Sequence, residues 1–145
     1  MMTPYEHLLV VKQAYDKATD KVCKTYNLKH REFDILMYLV QHPDQATATD
    51  LVKKMDISKS HVSISLRSLE ERGYVSGEFR GNNRRTIYLC LNDAANEVVE
   101  AGRKAQYAFA DALVDGFNPD EVKNLVDYLS RLKKNVMAYA KKSNL

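Results

Sequence analysis

Apolar residues near the start of the chain recur at three- and four-residue steps, the period of an amphipathic helix. "TPYE" at positions 3–6 supplies a complete capping box, with Thr3 as N-cap, Pro4 at the first helical position and Glu6 at the third. The stripe behind it comprises Leu8, Val11, Tyr15, Ala18, Val22 and Tyr26. The pattern predicts a long first helix and then a second over residues 30–41, ended by the proline turn at "HPDQ".

Two shorter helices are predicted next, separated by a turn of about three residues. In "TATD" Thr47 can cap the first of them, and Asp50 can complete the capping box. Ser58 can cap the second, which Gly73 closes after about residue 72. Helices of this length and spacing are typical of a helix-turn-helix.

After Gly73 the apolar period changes from that of a helix to that of a strand. "YVSGEF" and "RTIYLCL" predict two strands joined by a turn at "GNNR", with Ile87, Leu89 and Leu91 on one face. An isolated hairpin is marginally stable in water. Its apolar face is therefore expected to lie against the helices.

Two further helices complete the predicted chain. Asn92 can cap the fifth helix, and "GFNPDE" separates it from the last, which Asn118 can cap. The apolar positions of the last helix approach a heptad seam and are Val122, Leu125, Leu129, Leu132, Val136 and Tyr139. The predicted fold class is mainly α with a small β-hairpin wing, as one domain over residues 1–145. Residues 29–91 form its winged helix-turn-helix, and residues 1–28 and 92–145 its long flanking helices.

Composition narrows the class of protein without identifying it. The 145 residues are 45% hydrophobic and 28% charged, which is typical of a globular protein. No stretch near the start reads as a signal peptide or a membrane span, so we expect a cytosolic protein. Two cysteines without a CxxC spacing indicate neither a disulfide framework nor a structural zinc site.

The charge is unevenly distributed along the chain. The net charge is +3, but residues 51–91 alone contain eight basic and four acidic residues, a net of +4. A basic centre between neutral flanks is typical of a module that binds a polyanion. A solvated basic face without a partner explains the charge equally well.

The helix at 58–72 has two different faces. Val62, Leu66 and Leu69 project to one side as a packing face. The other side is polar and carries no carboxylate in its amino-terminal half, with Ser58, Lys59, Ser60, His61, Ser63, Ile64 and Arg67 on or beside it. Short donors and positive charge suit a helix that enters the major groove of DNA.

The wing adds three arginines. Arg84 or Arg85 on a narrow hairpin can enter the minor groove, while Arg80 meets the sugar-phosphate backbone. A solubilising turn is the alternative, but it explains three arginines behind a helix-turn-helix less easily than one or two.

The order of elements, with "ISKSHVSISLRSLEERGYV" followed by an arginine hairpin and "LCLN", resembles the multiple antibiotic resistance regulator (MarR) family. The resemblance implies a homodimer that binds a pseudo-palindromic operator in double-stranded DNA, usually as a repressor released by a small ligand, a metal or an oxidant. It assigns the recognition helix to residues 58–72 and the wing to 74–91. The long flanking helices would form the dimer interface.

Two residues depart from the family pattern. Asn83 stands where the family has the aspartate that pairs with a wing arginine, so we expect Arg85 to be loosely held before DNA arrives. Ile64 replaces a residue that is often polar or basic, so the contact to the base there would be apolar.

The last part of the prediction concerns an effector. The resemblance points to a small-molecule site near Tyr15, Tyr38 and Tyr107, although each is more often a core or interface tyrosine. Cys23 invites an oxidant-sensor interpretation, but a buried, inert thiol is favoured. The four histidines are scattered, which disfavours a metal site, and no cofactor is expected.

Two other classes of function remain for comparison. No phosphate-binding loop and no nucleophile with a base can be assembled, so an enzyme is not expected. A winged helix that binds only other proteins stays open, because the fold does not fix the function.

Overall fold

The computed structural model describes residues 1–43 and 45–143, so the Asp44 part of the predicted proline turn lies outside the described residues. The helices and strands are α1 (Pro4–Thr25), α2 (His30–Gln41), α3 (Ala48–Met55), α4 (Lys59–Glu71), β1 (Val75–Arg80), β2 (Asn83–Leu91), α5 (Asn96–Leu113) and α6 (Pro119–Lys142). The chain divides into two compact units, Met1–Phe109 and Ala110–Leu145, and each is described by itself.

The predicted helix starts at Thr3, Thr47, Ser58 and Asn118 are confirmed. The Thr3 N–H donates to Glu6 Oε2 at 2.6 Å, and the Glu6 N–H donates to Thr3 Oγ1 at 3.2 Å. The same reciprocal box occurs at Thr47 and at Asn118. Each box satisfies two backbone donors that the first turn of a helix leaves without partners.

Helix α4 ends in a Schellman motif. Gly73 has φ +73°, which glycine adopts without steric cost. The Gly73 N–H donates to the Glu70 carbonyl at 2.9 Å, and the Tyr74 N–H donates to the Leu69 carbonyl at 3.0 Å. Gly73 therefore ends the helix as predicted and turns the chain into the hairpin.

The hairpin turn is shorter than predicted. The strands pair antiparallel from Val75 opposite Leu91 to Arg80 opposite Asn83, with an irregularity between Glu78 and Arg80. Only Gly81 and Asn82 remain as the loop, and Gly81 has φ +55° as in a type II′ turn. Asn83 and Arg84 were predicted as turn residues and instead belong to β2.

The prediction that Asn92 caps the fifth helix is wrong. Its amide group donates to the Gly73 carbonyl at 3.1 Å, and its carbonyl oxygen accepts from the Ser76 hydroxyl at 3.0 Å. The chain passes through a short 3₁₀ turn at Asp93–Ala95 before α5 begins. The side chain of Asn92 therefore joins both ends of the hairpin to the end of α4.

One hydrophobic cluster unites the helix-turn-helix with the hairpin. It draws on α2, α3, α4, both strands and α5, and its buried members include Ile35, Leu36, Leu51, Val62, Leu69, Val75, Leu89 and Val98. The expected packing of the hairpin on the helices is therefore confirmed. Ile87 is an exception at 51% exposure, since it lies over Gly77 nearer the tip and away from the cluster.

Close packing within the first unit also requires Gly102 of α5. A Cβ atom there would lie 2.8 Å from Met37 Sδ and 2.9 Å from Phe33 Cε1 of α2. Phe33 and Met37 are buried in a second small cluster with Val22 and Cys23. The glycine thus lets α5 approach α2.

The terminal helices retain exposed apolar surface. Helix α6 has no buried residue within the described chain, and its exposed apolar side chains include Leu129, Leu132, Val136 and Tyr139. The first three turns of α1 expose Tyr5, Leu8, Leu9, Val10 and Val11. Among the described helices, none combines the length and apolar character needed to cross a bilayer.

Candidate nucleic-acid interface

Helix α4 presents the two faces that its sequence predicts. Val62, Leu66 and Leu69 are buried against the core, together with Ser65. The opposite side is exposed and carries Lys59, Ser60, His61, Ser63, Ile64 and Arg67. A core-anchored helix thus offers hydroxyl, imidazole and guanidinium groups to solvent, and one apolar side chain, Ile64, at 59% exposure.

Ser58 differs from the other predicted contact residues because it is the N-cap of α4. Its hydroxyl oxygen accepts from the His61 N–H at 3.2 Å, and it lies 3.3 Å from the hydroxyl of Ser60. The first turn of α4 contains no acidic residue, so its partial positive charge is not cancelled locally. This end of the helix is suited to approach a phosphate group.

Arg80 is held by other groups of the wing. Its Nη2 lies 3.1 Å from Glu78 Oε1, and its guanidinium is 4.2 Å from the centre of the Tyr88 ring. The ion pair offsets the charge that was predicted to meet the DNA backbone. Sequence analysis missed Glu78 as a partner, although its spacing of two residues from Arg80 along one strand was the available signal.

Arg84 and Arg85 are both exposed on β2 but differ in what they contact. Arg84 lies 5.5 Å from the centre of the exposed Phe79 ring, which supports its guanidinium. No carboxylate in the described part of the chain pairs with the Arg85 side chain. Asn83 accepts from the backbone N–H of Arg85 at 2.9 Å and so fixes the main chain there.

Arg72 connects the end of α4 to the end of α1. Its Nη1 donates to the Tyr26 carbonyl at 2.6 Å, and its Nη2 donates to the Asn27 carbonyl. Asn27 has φ +52°, so the chain reverses sharply here. The positively charged Arg72 therefore satisfies carbonyls at the negative end of α1 and fixes α4 relative to it.

The three tyrosines predicted near an effector have separate surroundings. The Tyr15 hydroxyl accepts from Gln106 Nε2 at 2.8 Å, and the Tyr15 ring packs edge-on against Phe109. Tyr38 stacks on His42 with ring centres 4.3 Å apart, whereas Tyr107 is exposed. None of the three lines the cavity of about 400 Å³ that α2, β2 and α5 enclose.

Cys23 has the character of an inert thiol. It is 3% exposed, and burial, followed by the nearby carboxylates of Asp34, Asp20 and Asp16, raises its pKa to about 11. Its sulfur lies 3.7 Å from His30 Nδ1. A redox-reactive cysteine requires exposure and a lowered pKa, so the environment of Cys23 opposes the oxidant-sensor interpretation.

No group of three or more His, Cys, Asp or Glu side chains is positioned to hold a metal ion within residues 1–43 and 45–143.

The helix-turn-helix followed by a packed, arginine-bearing hairpin defines a winged helix-turn-helix protein.

Comparison with known proteins gives the same class. The MarR family model matches residues 26–86, from the end of α1 into β2, the second strand of the wing. The HTH-type transcriptional regulator YdgJ of Bacillus subtilis is 29% identical over 101 residues, which are 70% of this chain and 62% of YdgJ. PecS of Dickeya dadantii, also an HTH-type transcriptional regulator, is 26% identical over 124 residues, covering 84% of this chain and 75% of PecS.

Solved structures are similar to this chain over nearly its whole length, including the helices that follow the wing. A MarR-family regulator from Listeria monocytogenes, solved with a 26-mer DNA, superposes with a TM-score of 0.84 at 21% identity, covering 98% of this chain and 96% of that one. The DNA complex of MepR from Staphylococcus aureus gives 0.77 at 18% identity, covering 93% and 99%. The MarR family model thus matches the helix-turn-helix and most of the wing, and the similar curated proteins are named as transcriptional regulators.

Proposed function

We propose that the protein is a homodimeric, sequence-specific DNA-binding regulator of transcription, acting in the cytoplasm as a repressor of nearby genes. The observation that carries the proposal is the exposed polar face of α4 beside an arginine-bearing wing. Helix α4 would enter the major groove, and the wing would lie along the minor groove. YdgJ and PecS are named as transcriptional regulators, and the Listeria and MepR structures contain DNA.

Different residues of this surface would make different kinds of contact. Ser60, Ser63 and Arg67 can reach base edges or phosphates from the exposed side of α4. Ile64 can make apolar contact with a thymine methyl group, which would favour A·T pairs at that position. Arg85 is the wing residue best suited to the minor groove, because Arg84 rests on Phe79 and Arg80 is paired with Glu78.

The exposed apolar faces of α1 and α6 support the dimer. Apolar side chains at this spacing and exposure are suited to association with another helix. A twofold dimer would place two copies of α4 about 34 Å apart, one turn of B-DNA, and so bind a pseudo-palindromic site. An effector near Tyr15, Tyr38 and Tyr107 that releases the DNA is part of the same proposal, and a small ligand suits it better than an oxidant given the burial of Cys23.

Fluorescence anisotropy with duplexes from the upstream region of its own gene tests the function. A DNA-binding regulator should bind at least one duplex in preference to a scrambled one, and affinity should fall steeply as salt rises because phosphate contacts release counterions. Absence of binding to every duplex at low salt would reject the proposal. It would favour a winged helix that binds only proteins, for which the exposed Ile64, Phe79 and Ile87 would be the contact surface.

A further inference from the structure

A second basic surface lies along one edge of α4, between that helix and the start of α2 and apart from the wing. A groove of about 280 Å³ separates α4 from the start of α2, and its lining includes Ile64, Ser68 and Arg72 from α4 and Leu28, Lys29, Arg31 and Glu32 from the opposite side. We call it the α2 groove.

The position of the α2 groove follows from the geometry of α4. At 100° per residue, Ser60 and Arg67 mark the centre of the exposed face, whereas Ile64, Ser68 and Arg72 lie progressively to one side. Another groove, lined in part by Lys53, Lys59 and Ser63, lies on the other side, between α3 and α4. The exposed face of α4 is therefore bordered by a groove along each edge.

This arrangement matches the dimensions of DNA. An α-helix with its side chains is about 10–12 Å across, and the major groove of B-DNA is about 12 Å wide. A helix seated in the groove therefore approaches the sugar-phosphate strands on both sides. The first helix of a helix-turn-helix ordinarily meets one strand, which here corresponds to the α3 side. The α2 groove faces the direction of the other.

The charges of the α2 groove favour an anionic occupant. Lys29 and Arg31 are exposed, and neither side chain forms an ion pair within the described chain. The Glu32 carboxylate is buried and accepts from the Lys29 backbone N–H at 2.8 Å. With Arg72 included, three cations and one anion line the groove, a net of +2.

The walls of the groove are also fixed in place. Arg72 donates to the Tyr26 and Asn27 carbonyls, which ties the α4 wall to the segment that precedes Lys29. The two walls therefore need not rearrange when an anion binds, and the cost of ordering is confined to the side chains of Lys29 and Arg31.

We propose that the α2 groove holds one sugar-phosphate strand of the operator, with Lys29 and Arg31 as phosphate-binding residues and Ser68 as a neighbouring hydroxyl donor. The proposal rests on the proposed DNA-binding function and adds to it an interaction made by the start of α2. These interactions fix the register of α4 on the duplex and carry no base preference of their own.

The test compares two double variants that remove the same charge. Lys29→Gln with Arg31→Gln removes the two cations of the α2 groove. Lys17→Gln with Lys21→Gln removes two exposed cations of α1 that line neither groove beside α4. Affinity for an operator duplex and for a scrambled duplex is measured by anisotropy across a range of salt, with far-UV circular dichroism to check the fold.

The groove variant should bind both duplexes at least about tenfold more weakly at low salt, because its glutamines cannot form charge-assisted hydrogen bonds to phosphate. The slope of log K against log salt should become shallower by about 0.9 for each phosphate that the variant leaves without a cation, or about 1.8 per bound protomer. The α1 variant should keep the wild-type slope.

Three other outcomes would overturn the proposal in distinguishable ways. Wild-type binding with an unchanged slope in the groove variant would reject the α2 groove and leave the DNA-binding function intact. Equal weakening in both double variants would show an effect of net charge alone and would also reject the groove. No binding by the wild-type protein would reject the function and the groove together.

Discussion

The exposed faces of α4 and α6 differ in chemistry. On α4, a buried apolar side anchors the helix to the core, and the exposed side is mostly hydroxyl and basic. On α6, no described residue is buried, and leucine, valine and tyrosine side chains are exposed. A polar face is well solvated in water before its ligand binds. An exposed apolar face, in contrast, is stabilised when another protein surface covers it and removes it from water. The two faces therefore suit different partners, a polyanion for α4 and a protein surface for α6.

The largest effect is expected from substitutions in the exposed apolar face of α6. Leu129→Asp combined with Leu132→Asp places two charges where α6 exposes apolar surface, and burying them in a dimer would be strongly unfavourable. We expect the proposed dimer to dissociate to monomers at micromolar concentration, measured by light scattering after size exclusion. Asn124→Asp with Ser130→Asp adds the same charge at exposed polar positions of α6 and should leave the mass at that of a dimer. A dimeric mass for the leucine double variant would contradict the assignment of α6 to the interface.

The second prediction compares the two sides of α4 itself. Leu69 is fully buried, so Leu69→Ala should lower the free energy of unfolding by about 2–5 kcal/mol. Ile64 is exposed on the same helix, and Ile64→Ala should change stability by less than about 0.5 kcal/mol while altering the preference for A·T pairs. Urea denaturation and anisotropy measure the two effects. A similar drop in stability in both variants would show that Ile64 has a packing role.

The third and smallest effect distinguishes arginines within the wing. Arg85→Ala should weaken binding to many sequences by about tenfold with the fold intact, because an arginine in the minor groove is attracted by the phosphates of both strands without hydrogen bonds to particular bases. Arg80→Ala should cost less, since Glu78 already offsets the charge of Arg80. Anisotropy on a shared set of duplexes gives both values. An unchanged affinity for Arg85→Ala would reject the assignment of the wing.

Local signals were the most reliable part of the sequence analysis. The capping boxes at Thr3, Thr47 and Asn118 were predictable because each donor and acceptor lie three residues apart. Asn92 was mispredicted because the partners that take its side chain, Ser76 and Gly73, are 16 and 19 residues away. Local propensity gives no information about a competing partner at that distance.

In the hairpin and at the candidate site, the sequence predicted which face a residue occupies but not which distant elements lie against it. Alternation assigned Ile87 to the correct face but could not show how far the helices extend beneath the strand. The exposed face of α4 followed directly from its period. The α2 groove did not, because Lys29 and Arg31 approach α4 only through the reversal of the chain at Asn27.

The hydrogen bonds of Arg72 to the end of α1 and the Schellman motif at Gly73 both fix α4 at its carboxyl end. The side chains proposed to read DNA lie mainly in the amino-terminal half, on the side away from the core. Substitutions at Ser60, Ser63 or Ile64 therefore need not disturb the anchor at Leu69, Arg72 and Gly73. The helix can acquire a new operator preference through changes that are nearly neutral for folding, which makes this scaffold permissive for the divergence of duplicated regulators and for the design of altered specificity.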